Sequence, residues 1–143
     1  MEDNVFGAMT FKRGWVKQEQ LHLWGADRDL KIRVSAYPED KPTDAQKKAY
    51  ESFIRNLKEV SEESLVRLAM FVVKDSESGL PTNLEKAVNE LLNHVKIQEI
   101  LFFKDGSYAI ECDVDWTEDG VSVLVNNGKM ETGYSDELLG CRI

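Results

Sequence analysis

The chain has 143 residues, with 26 acidic against 18 basic side chains, a formal net charge of -8 and a pI near 4.8. That length suits one domain, and it buries enough surface to fold without a disulfide or a metal. The acidity argues against a nucleic-acid-binding surface, and no stretch approaches the ~18 consecutive apolar residues of a membrane span.

The first 42 residues read as short strands. Asn4 to Phe11, Gly14 to Trp24 and Leu30 to Tyr37 are rich in aromatic and β-branched residues separated by turn formers. Leu30, Ile32, Val34 and Ala36 alternate with Lys31, Arg33 and Ser35, the period-2 pattern of a strand with one wet face. Gly25 to Asp29 reads as the connection before it. Pro38 and Pro42 then stop the sheet, since neither can donate to a ladder.

Residues 43–93 read as helices. Thr43-Asp44-Ala45-Gln46 is a capping box: the threonine hydroxyl accepts an early backbone N–H while Gln46 reaches back. Ala49, Tyr50, Phe53, Ile54 and Leu57 follow at helical spacing. Ser61 is positioned to cap a second helix with Leu65, Leu68, Ala69, Val72 and Val73 on its inner face. Asn83 can cap a shorter third helix built on Leu84, Ala87, Val88, Leu91 and Leu92.

From Val95 the period returns to 2. Val95 to Phe103 and Ser107 to Val114 flank Lys104-Asp105-Gly106; Gly120 to Val125 and Lys129 to Thr132 flank Asn126-Asn127-Gly128. Both are hairpin signals, because glycine accepts the positive φ such turns need. Residues 95–133 thus form an antiparallel meander, and 134–143 a tail that contains Cys141. Strands, helices, then strands define one α+β domain over residues 1–143. Its expected form is a mainly antiparallel curved sheet with two or three helices packed on one face.

Charge is uneven along this plan. Residues 100–143 hold three basic and nine acidic side chains, which is -6 of the -8. Glu111, Asp113 and Asp115 alternate with Ile110, Cys112, Val114 and Trp116, so the carboxylates share one strand face and the apolar set the other. Glu118 and Asp119 follow in the turn. Three readings apply: a solvated face that discourages edge pairing, a patch that attracts a basic partner, or a divalent-metal site. Asp113-Val114-Asp115 opens like a calcium loop, but Glu118 stands where the loop needs glycine and Leu124 where it needs the distal glutamate. No histidine is evident beside the cluster.

Catalytic and cofactor motifs are missing. There is no P-loop, G-x-G-x-x-G, G-x-S-x-G elbow or H-E-x-x-H frame, and the two histidines, His22 and His94, fit structural or surface roles. Neither a metal nor a cofactor is expected. Met1-Glu2-Asp3-Asn4 lacks the layout of a signal peptide, and Cys112 and Cys141 suit a reducing compartment, so a cytoplasmic location is expected.

Several stretches together resemble a known family. These are Trp24-Gly25, Thr43-x-x-Gln46-x-x-Ala49-Tyr50-x-x-Phe53, the segment from Cys112 to Val123, and Thr132-Gly133-Tyr134-Ser135-Asp136. The arrangement over residues 15–139 resembles a group of bacterial domains of unknown function with a C-terminal Trp-Asp-x-Glu-His-Gly-like motif. Asp119 stands where that group often has His, and Thr117 where it often has Asp. The resemblance implies the α+β layout and no reaction. By analogy with small acidic bacterial proteins, an immunity-type role against a toxin is the narrower expectation.

The leading expectation is therefore a non-enzymatic interaction module that docks a basic protein through Glu111, Asp113, Asp115, Trp116, Glu118 and Asp119. The alternative is a small-ligand or metal-binding protein, or a hydrolase, using Asp113, Asp115 and Glu118 beside Trp116.

Overall fold

A computed structural model describes residues 1–75, 78–81 and 83–140. The chain begins with a small hairpin, β1 (Glu2–Asp3) and β2 (Gly7–Ala8), held by the Asp3 carboxylate, which accepts the N–H groups of Val5 and Phe6. Then come β3 (Thr10–Phe11), β4 (Trp15–Leu23) and β5 (Ala26–Val34). The β4–β5 turn is Trp24-Gly25, so Ala26 to Asp29, read from the sequence as connection, belong to β5 and pair with β4. Leu23 pairs with Ala26, and the two turn residues have φ of 54° and 79°.

Three helices follow: α1 (Asp44–Arg55), α2 (Leu57–Lys74) and α3 (Leu84–Leu91). Thr43 and Gln46 make both halves of the capping box, and Asn83 accepts the Lys86 N–H at the start of α3. Ser61 does not cap a helix. Asn56 alone separates α1 from α2, its side chain donating back to the Ser52 carbonyl, a local bond that competes with helix continuation. Ser61 therefore lies inside α2, and its hydroxyl accepts the backbone N–H of Trp24.

Strands β6 (Val95–Phe102), β7 (Tyr108–Val114), β8 (Val121–Asn126) and β9 (Lys129–Tyr134) form the expected meander. The sheet has seven strands in the order β3-β4-β5-β6-β7-β8-β9, antiparallel throughout except for β5 and β6. Their parallel pairing follows from the helices between them, since parallel neighbours need a long crossover. Asn127-Gly128 is a two-residue turn, with φ of 52° and 77°. The β6–β7 turn is one residue longer: the Phe103 and Ser107 backbones pair around Lys104-Asp105-Gly106, with Gly106 at φ 92°.

One sheet face meets α1 and α2. Ile32, Val34, Ile100, Phe102, Ile110, Cys112, Val121 and Val123 join Phe53, Leu68 and Val72 in the main core. Each fully buried aliphatic or phenyl side chain contributes roughly 1.5–3 kcal/mol. Ile54, although on the apolar stripe of α1, is 38% exposed.

The expected tail is partly structured. Tyr134 ends β9, and Ser135–Leu139 form α4, which packs on the opposite sheet face. Leu139 is fully buried there against Leu101, Phe103, Ala109 and Leu124. Cys141 lies outside the described residues. No described helix is long and apolar enough to cross a membrane.

Candidate functional site

The acidic residues singled out above separate into an exposed group and a half-buried one. Asp113 and Asp115 are exposed near the end of β7, and Glu118 and Asp119 are exposed in the turn to β8. Trp116 is partly buried and packs against the main core, as its alternation with the carboxylates requires. Its indole N–H is enclosed without a hydrogen-bond partner among the described residues.

Two neighbours were not legible in the sequence. His94, immediately before β6, donates from Nδ1 to Asp115 Oδ2 at 2.6 Å, so a histidine does join the group. The residues between them, Val95 and Val114, are cross-strand partners, which is why side chains 21 positions apart meet. Lys96 stands directly across from Asp113. The second contribution comes from α4. The Ser135 N–H donates to the Gly120 carbonyl at 2.8 Å, and the Ser122 and Ser135 hydroxyls share a 2.7 Å hydrogen bond. These bonds hold the start of α4, which carries the exposed Asp136 and Glu137, against Gly120 at the end of the β7–β8 turn.

Glu111 belongs elsewhere. It points to the same sheet face as Asp113 but is half-buried, directly across from Glu99 on β6 and Ser122 on β8. Arg33 on β5 donates through Nε to both Glu99 oxygens, at 3.2 and 3.1 Å, and through Nη1 to the Lys12 and Arg13 carbonyls. The result is a polar row across four strands. Burial, then the neighbouring Glu99 carboxylate, pushes the Glu111 carboxyl up to about 8, although Arg33 opposes the shift. Two carboxylates facing one guanidinium cannot both stay ionised cheaply, so the pair retains a proton at neutral pH.

A β-bulge makes this row possible. Ile97 pairs with Cys112 and Glu99 with Glu111, leaving Gln98 as the extra residue. Without it Gln98 would face Glu111 and Glu99 would point into the core. The signal was present: Val95 and Ile97 are two apart, but the next buried aliphatic on that face is Ile100, three further on.

Chemically, the exposed group offers negative charge to solvent. Asp113, Asp115, Glu118 and Asp119 lack the enclosure by which general acid–base catalysis tunes a carboxyl group. Among the described residues, no three His, Cys, Asp or Glu side chains converge closely enough to hold a metal ion. Cys112 is buried, and burial drives its thiol well above the ordinary range, the condition of an inert core cysteine.

These features define an α+β domain with one open seven-stranded sheet, helices on both faces and an acidic end. The family model of a domain of unknown function, DUF6985, matches residues 5–139, and the chain belongs to that family. No curated protein and no solved structure matches it.

Proposed function

We propose that the chain is a non-enzymatic protein-interaction module whose acidic end receives a basic partner. The observation that supports this is that six exposed carboxylates, Asp113, Asp115, Glu118, Asp119, Asp136 and Glu137, lie at one end of the sheet, carried by the end of β7, the turn to β8 and α4. Only His94 and Lys96 offset them locally among the neighbours described above. Such a field raises the encounter rate with a cationic surface and rejects acidic ones. Trp116 supplies an aromatic surface within the group. Glu111, tied into the Arg33–Glu99 row, contributes through position rather than contact. An immunity-type role, in which the partner is a basic toxin, is the narrower form of this reading.

The test compares affinity capture by the wild type and by a variant carrying Asp113→Asn, Asp115→Asn, Glu118→Gln and Asp119→Asn. A partner that the variant loses, and whose wild-type complex weakens as salt rises from about 50 to 300 mM, supports the proposal. A partner indifferent to both changes overturns it. Rescue from a co-expressed basic toxin then separates the immunity-type role from other partnerships.

A further inference from the structure

The other end of the sheet carries a cleft unrelated to the acidic end. It lies between the α1–α2 junction and the two hairpin turns at Gly106 and Gly128, with a volume of about 470 Å³. That size is within the range of small-molecule sites. Its walls combine two chemistries. Ala49, Val60, Val125 and Met130 provide an apolar surface, while Glu59 and Glu63 of α2 and Asp105 of the β6–β7 turn bring three carboxylates against the single cation Lys48. Asp105 is already engaged, accepting both the N–H and the hydroxyl of Ser107. Glu63 has Arg67 one helical turn away at 3.7 Å, a long and exposed pairing.

Tyr108 gives the cleft a specific polar point. Its ring is held by Phe102, stacked at 5.1 Å, and by Phe53, edge-on at 5.3 Å, and the residue is only 6% exposed. The hydroxyl, at the cleft surface, makes no hydrogen bond to any described residue, and Glu63 is the charged group that it senses. Unlike the enclosed Trp116 indole N–H, this oxygen opens into the cleft, where a ligand can reach it. The phenol is protonated at neutral pH, as any tyrosine is, and burial raises its pKa further, so it offers one donor and its lone pairs.

We infer that this cleft is a binding site for a small alkylammonium compound, a diamine or polyamine. The methylene chain would lie on Val60, Val125 and Met130. The ammonium would donate to the Tyr108 oxygen and sit against the Glu63 and Glu59 carboxylates, while the Tyr108 hydroxyl is free to turn its proton toward Glu63. Both turn glycines keep the rim low: Gly128 has open space where a Cβ would stand, and a Cβ at Gly106 would first meet Ala45.

The experiment titrates the folded protein with cadaverine and spermidine, with glutarate and 1-pentanol as length-matched controls, and follows backbone amide shifts by NMR. Saturable shifts for the amines alone, centred on Gly106, Gly128 and Ser52, are expected. Tyr108→Phe and Glu63→Gln should each weaken binding about tenfold, the loss of one hydrogen bond to a charged group. Tyr108→Phe keeps the ring stack; Glu63 is exposed, so Glu63→Gln folds whatever becomes of the tyrosine variant. Absence of saturation with either amine, an equal response to glutarate, or amine binding unchanged in Glu63→Gln would overturn the assignment.

Discussion

The side-chain amide of Gln46 donates to the carbonyl of Phe102 at 3.1 Å and to that of Ser35 at 2.8 Å, while its oxygen accepts the Thr43 N–H. One residue thus closes the helix cap and ties α1 to the ends of the parallel pair β5 and β6. A glutamate completes a capping box equally well. It cannot donate, and here it would set a carboxylate against two buried carbonyls. Gln46→Glu should therefore cost at least about 3 kcal/mol in urea denaturation, far beyond a cap effect. A change under about 1 kcal/mol would show the two sheet contacts to be dispensable.

Glu111 predicts a pH dependence of stability. Unfolded, a glutamate loses its proton near 4.5; folded, Glu111 holds it to about 8. Between these values the folded state binds more protons than the unfolded one, so stability is full below the lower value and falls as pH rises through the upper. Thermal melts from pH 5 to 9 should show that decline. Glu111→Gln, a mimic of the protonated acid, should flatten it and melt higher than the wild type at the alkaline end. Parallel curves for the two proteins would place the retained proton elsewhere.

Gly106 and Gly128 separate strain from contact. Both have positive φ, so alanine costs about 1 kcal/mol of backbone strain at either. At Gly106 the new methyl also meets the Cβ and carbonyl oxygen of Ala45 at 3.3 Å, whereas nothing lies within 4 Å at Gly128. Denaturation midpoints should fall further for Gly106→Ala. The reverse order would mean that α1 yields readily at Ala45.

Trp24 is a bulky residue held at φ 54°, where β-turn glycine or asparagine is usual. What holds it is burial, at 2% exposure, and the indole N–H, which donates to Ser64 Oγ at 2.9 Å. Ser64→Ala should leave that N–H unpaired and cost about 1–3 kcal/mol. Trp24→Gly would relieve the strain yet lose the ring, and the ring dominates at about 3–5 kcal/mol. A neutral Ser64→Ala, followed by chemical denaturation, would show the turn to be held by packing alone.

Trp116 should behave differently. Because it is only partly buried, Trp116→Ala should fall below the roughly 3–5 kcal/mol of a fully enclosed aromatic, and Asp113→Asn should change stability by no more than about 0.5 kcal/mol. Severe destabilisation by Asp113→Asn would mean that the carboxylate does structural work and is not available to a partner.

Local patterns in the sequence were enough for the helices, the hairpin glycines, the meander and the inward face of β7, because period and turn chemistry act over a few neighbours. The resemblance to a family of unknown function, read over residues 15–139, agrees with the family match over residues 5–139. The register of β6 was not, since its bulge is visible only as a three-residue step from Ile97 to Ile100, and that step decides whether Glu99 faces Glu111 or the core. Nor could composition show α4: Leu138 and Leu139 acquire a reason to fold only once Leu101, Phe103, Ala109 and Leu124 present an apolar face from three different strands. The same holds for His94 with Asp115, Arg33 with Glu99, and Gln46 with Phe102. Each pair is distant in the chain and is brought together by strand pairing or helix docking. Tertiary structure therefore decided which carboxylates face solvent, which share a proton and which hydroxyl is left open to a ligand.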